Sequence, residues 1–171
     1  MGEDLRGKLM SWFVDEGFEV KKMEVPPQAP LEWSMLVTVK APLQVNIAVQ
    51  KPSNIPKIVL SMGVKLAPHH QNAFNSLAEP ERLELRAELV ESLLHLCPDC
   101  VVIPQPPGST AMEGMLVSRE VPLYTREAEG ILRREVMTTC RVLSNAYQII
   151  VERLNARLGT GAGPRQDTMV M

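Results

Sequence analysis

The sequence predicts a single α+β domain: an antiparallel β-sheet meander with one apolar face, covered by N-terminal, central and long C-terminal helices. Three observations carry that reading. Period-two alternation of apolar and polar residues recurs in consecutive runs between Leu31 and Leu66, the signature of pleated strands with one buried face. The connections between those runs are short, whereas parallel neighbours need a crossover of roughly a dozen residues. Helical periodicity is confined to the flanks, and grouped strands with flanking helices indicate α+β architecture, not a doubly wound sheet.

Taken in order, Leu5, Leu9, Trp12 and Phe13 recur at i, i+4, i+7 and i+8, one apolar helical stripe. Gly17 is the expected left-handed stop, a conformation glycine takes without a Cβ clash. A first strand is expected over residues 18–23. Pro26, Pro27 and Pro30 then hold an extended connection that cannot donate to a ladder. In the meander, Leu31, Trp33, Met35, Val37 and Val39 form one apolar set, followed by Leu43, Val45, Ile47 and Val49 and then by Ile58, Leu60, Met62, Val64 and Leu66. A slip of one residue would turn each set into water, so the register is strongly specified.

The helices that cover this face come next. Pro80 suits a first helical turn, and Leu83, Ala87, Val90, Leu94 and Cys97 mark a stripe expected to pack inward. Leu85, Leu89 and Leu93 widen it, which suggests a helix buried on more than one side. Pro98 ends that helix. Val101, Val102 and Ile103 read as a short strand, and Met115 and Val117 as another. The longest helix is expected to start at Thr125 as N-cap, with Leu132, Val136, Cys140, Leu143, Tyr147, Ile150 and Leu154 as its stripe and Gly159 as its stop. Residues 159–171 have too little apolar surface to pack and are expected to be a disordered tail, leaving 1–158 as the domain.

Composition narrows the function classes. At 171 residues the chain has the size of one domain and can bury about 70% of its unfolded surface. The net charge is −2, from 18 basic and 20 acidic residues, and the densest basic pair, Arg133-Arg134, sits among glutamates. Nucleic acid as a partner is therefore disfavoured. Three cysteines, an odd number, argue against a disulfide framework and fit a reducing cytosol. The first residues carry no secretory pattern, Arg6 stands where myristoylation wants Ser or Thr, and no apolar run approaches the ~18 residues of a membrane span. A cytoplasmic protein with no membrane partner is expected.

Few residues suggest chemistry. Cys97-Pro98-Asp99-Cys100 has the form of a redox motif, but it follows a helix, where the negative dipole end disfavours a thiolate. His95, Cys97 and Cys100 offer three soft ligands for zinc, without the second Cys or His pair that such sites prefer. Cys140 lies on an apolar stripe and reads as core. His69-His70 after Pro68 reads as a solvated pair whose side chains diverge and do not chelate together. No nucleophile elbow, P-loop or dinucleotide fingerprint is present. No catalytic residue and no cofactor are expected.

The remaining signal is the second face of the meander. It carries short neutral side chains, among them Leu36, Thr38, Gln44, Asn46, Ala48 and Gln50, with Lys and Glu only at its margins. Solvated sheet faces usually carry more charge, so these six residues are interface candidates. The ten methionines add adaptable apolar surface. In element order, residues 3–157 resemble the type III secretion chaperone-like fold, and also an uncharacterised family of small archaeal proteins with that architecture. The resemblance implies a domain that dimerises and binds extended protein segments; no motif matches residue by residue, so it transfers no site. The expectation is a non-enzymatic protein- or peptide-interaction module acting as a homodimer. The alternative is a small-ligand or zinc-binding protein using His95, Cys97 and Cys100.

Overall fold

The computed structural model describes residues 2–40, 42–123 and 129–159, with side chains from Leu5 onward. Thr125 and the tail beyond Gly159 lie outside the described residues. The elements are α1 (Gly2–Asp15), β1 (Glu19–Met23), β2 (Leu31–Val39), β3 (Val45–Pro52), β4 (Lys57–Lys65), α2 (Pro68–Asn75), α3 (Glu79–Leu96), β5 (Val101–Gln105), β6 (Gly114–Pro122) and α4 (Glu129–Leu158). The six strands form one sheet in the order β1-β2-β3-β4-β6-β5, and every neighbouring pair is antiparallel. The meander is thus extended by the later hairpin, with β6 against β4 and β5 at the edge. Among the described residues, no helix is long and apolar enough to cross a membrane.

The period-two sets do what their alternation requires. Trp33, Met35 and Val37, Val45, Ile47 and Val49, and Ile58, Leu60, Met62 and Val64 are all buried in one core cluster. The opposing surface comes from Leu9 and Phe13 of α1, Leu85, Leu89 and Leu93 of α3, and Val136, Cys140, Leu143, Ile150 and Leu154 of α4. Each such side chain contributes about 1.5–3 kcal/mol on burial, which makes this layer the main source of stability. Gly17 stops α1 at φ +82°, and the Phe18 N–H reaches back to the Phe13 carbonyl at 2.9 Å, a left-handed helix end. Gly159, at φ +92°, ends α4 in the same way.

Two expectations are corrected. On α3 the inward stripe is Leu85, Leu89 and Leu93, whereas Leu83 is 47% and Leu94 40% exposed and Ala87 is exposed as well. The reason is geometric: α3 packs on α4 and β5 from one side only, so only one of two opposed leucine rows can be covered. Polar contacts fix the rotation. Glu88 faces α4, where its carboxylate meets Arg153 at 3.1 Å and Arg157 at 2.8 Å, and Arg86 donates to the Ala111 carbonyl. At its start, the Glu81 carboxylate accepts the Ala78 N–H at 3.1 Å, half of a capping box.

The histidine pair is the second correction. Pro68 opens α2, and His70 and Phe74, four residues apart on one face, are fully buried. His70 Nε2 donates to the Gly159 carbonyl at 3.1 Å, which pins α2 to the end of α4. Burial, opposed by that carbonyl, pushes the His70 pKa below its ordinary value, so the ring is held neutral. His70 is thus a packing device on a helix, while His69 remains partly exposed.

Candidate functional site

The Cys97–Cys100 turn is built by the end of α3. The Cys97 N–H closes the helix on the Leu93 carbonyl at 2.9 Å, and the Cys100 N–H bonds the Cys97 carbonyl at 3.1 Å before β5 begins. The two sulfurs are joined in a disulfide. The odd cysteine count argues against a disulfide framework; the structure has one disulfide, across a single turn, and sequesters the third cysteine. Cys140 is fully buried on α4, and desolvation pushes its thiol up to about 12.

The three zinc candidates are not assembled as a ligand set. His95 has an 82% exposed side chain beside Glu91 at 3.9 Å, and a disulfide-bonded sulfur is not a thiolate ligand. Among the described residues, no group of three His, Cys, Asp or Glu side chains is placed to hold a metal ion. His95 instead helps line a groove of about 500 Å³ between α3 and α4, together with Ser92, Ile149, Glu152, Arg153 and Ala156.

A residue that sequence reasoning missed joins this turn to the core. Arg119 of β6 donates to Thr139 Oγ1 at 2.6 Å and to the Glu135 carboxylate at 2.9 Å. It also lies 3.8 Å from Asp99 in the turn. Thr139 is buried and donates in turn to the Glu135 carbonyl at 2.7 Å. The guanidinium fork suits this role because it engages several oxygens at once. The signal was present in the alternation: Met115, Val117, Arg119 and Val121 share one face of β6, so a charge stands in an apolar register.

The second sheet face holds the six interface candidates unequally. Ala48 and Gln50 retain only 4% and 3% exposure, Leu36, Thr38 and Asn46 are half-buried, and Gln44 is exposed just before β3. Thr38 pairs with Asn46 across the strands, its hydroxyl donating at 2.9 Å. Gln50 Nε2 and Ser61 Oγ are buried with no hydrogen-bond partner. Charge lies toward the rim, as in the pairs Lys40–Glu19 and Lys57–Glu120, both at 2.5 Å, and at Lys21 of the edge strand β1, opposite Leu36. The largest apolar side chains exposed in a regular row are on α3: Leu83 and Leu94, in line with Ala87 and the half-buried Val90.

No curated protein matches the chain. Among solved structures, the crystal structure of an uncharacterized protein from Methanothermobacter thermautotrophicus is similar with a TM-score of 0.72 at 17% sequence identity, covering 90% of this chain and 99% of that one. That likeness carries the fold alone. Residues 5–154 match the uncharacterized conserved protein family DUF2299, and the chain belongs to that family.

Proposed function

We propose that this domain is a non-enzymatic, chaperone-like interaction module that works as a homodimer, docking a second copy of itself along α3. The observation that supports it is the exposed row Leu83, Ala87, Val90 and Leu94. Its spacing of i, i+4, i+7 and i+11 is that of alternating d and a positions in a two-heptad seam. Laid antiparallel against its own copy, the row is self-complementary, as a two-fold interface requires. Leu83 then opposes the partner's Leu94, and Ala87 opposes the partner's Val90. The sheet-face residues Leu36, Thr38, Gln44 and Asn46 and the edges at β1 and β5 lie outside that contact and would receive an extended segment of another protein.

Magnitude sets the conditions of the test. Four half-exposed leucines across the two-fold contribute about 4 kcal/mol, against which association costs a comparable amount, so the dimer is weak and is sought near millimolar concentration. Light scattering on the whole chain is therefore run up to millimolar concentration. The weight-average mass is expected to rise toward the dimer, to stay monomeric in the Leu83→Glu/Leu94→Glu double variant, and to rise unchanged in Asn46→Lys. A wild type that remains monomeric throughout refutes the homodimer. Loss of the dimer in Asn46→Lys, but not in the leucine variant, refutes α3 and moves the interface to the sheet face.

A further inference from the structure

We infer that Cys97 and Cys100 form a reversible dithiol–disulfide couple, served by a dithiol reductant, whose oxidised form locks the end of α3 to the edge strand β5. The bond sits where a helix hands over to a strand: Cys97 closes α3 and Cys100 directly precedes Val101. It is a poor staple for the fold as a whole. The entropy that a cross-link removes from the unfolded chain grows with the length of the loop it closes, and this loop is a single turn already held by the Cys100–Cys97 backbone bond. What the bond restrains is local.

That locality matters because β5 is an edge strand, held by its ladder to β6 and by the α3 helix whose end the disulfide fixes. It pairs with β6 on one side only, and its first residue, Val101, is 50% exposed. Asp99, inside the turn, is 80% exposed and is tethered to Arg119 at 3.8 Å. Arg119 is anchored in turn on Thr139 and Glu135 of α4. The oxidised turn therefore ties α3, β5, β6 and α4 at one corner, where Cys97 and Cys100, each 6% exposed, form the edge of the core.

The chemistry is confined to this pair. Cys140, the third cysteine, is fully buried with its thiol pushed up to about 12, so it neither attacks the disulfide nor exchanges with it. Cys97 and Cys100 are also buried, but they sit in a turn at the edge strand. Reduction therefore begins when that turn opens locally and an external thiolate attacks one sulfur, breaking the Cys97–Cys100 bond and forming a mixed disulfide. The freed cysteine stands one turn away and re-attacks that mixed disulfide, expelling a monothiol and restoring the ring. A dithiol resolves the mixed disulfide with its own second sulfur. It leaves as a cyclic disulfide, two electrons and two protons having passed to Cys97 and Cys100. The negative end of α3 further disfavours the protein thiolates, which holds the couple toward its oxidised form.

The test uses the full chain and counts thiols by alkylation in denaturant followed by mass spectrometry. Protein equilibrated anaerobically in millimolar reduced glutathione is expected to carry one alkylated cysteine, Cys140. In the same concentration of dithiothreitol it is expected to carry three, returning to one on transfer to oxidised dithiothreitol. Hydrogen exchange of the amides of β5 is expected to speed up at least tenfold on reduction, with the middle of α4 unchanged. The Cys97→Ser/Cys100→Ser variant is expected to exchange like the reduced protein in every buffer. Three alkylated cysteines in glutathione, one in dithiothreitol, or equal exchange of β5 in both redox states overturns the inference. None of these readings depends on whether the chain dimerises along α3.

Discussion

Two consecutive rungs of the β4–β6 ladder place opposite demands on the residues that fill them. Leu60 pairs with Arg119 on the helix side, and the next rung pairs Ser61 with Ser118 on the other face. On the helix side, Leu60 is fully buried and the one charge present spends its donors on Thr139 and Glu135. On the other face, Ser61 Oγ is buried without a partner, as is Gln50 Nε2 on the neighbouring strand. A buried donor or acceptor left unpaired costs about 1–3 kcal/mol. The helix side also holds one unpaired donor, Trp33 Nε1, but on a large side chain that fills the core, whereas Ser61 and Gln50 on the other face add little apolar volume to offset their unpaired atoms.

Substitutions sharpen that contrast, and each is read by urea unfolding. The largest effect is expected from Leu60→Ala, which leaves a cavity in the layer between sheet and helices and costs about 3 kcal/mol; a loss below about 1 kcal/mol would mean that this layer repacks freely. Arg119→Met is next, at about 2 kcal/mol, because it strips a charge-assisted bond from Glu135 and an approach to the buried Thr139. The smallest effects, and of opposite sign, belong to the other face. Ser61→Ala and Gln50→Leu remove unpaired polar atoms and are expected to be neutral or to stabilise by up to about 1 kcal/mol. If either destabilises by as much as Arg119→Met, the contrast between the faces collapses.

Much of this was legible in the residues. The strands were readable because burial on one face imposes period two, and the sheet obeys it from Trp33 to Val64. Gly17 and Gly159 marked helix ends because a positive φ favours a residue without Cβ. The row facing inward on α3 was not readable: the helix carries two leucine rows on opposite sides, and periodicity alone does not say which one meets the sheet. His70 misled for a related reason, since its partner, the Gly159 carbonyl, lies 89 residues away.

The sequence by itself determined the element order, the one-sided meander and the α+β class, because alternation and helical spacing are local consequences of burial. Only the tertiary structure decided the insertion of β6 between β4 and β5, the outward turn of Leu83 and Leu94, the joining of Cys97 to Cys100 and the anchoring of Arg119. Each of these depends on which distant surface arrives opposite a residue, and the pattern along the chain holds no record of that. The apolar face of the meander was explained by its own residues. Its partners, and the exposed row they leave on α3, were explained only by packing.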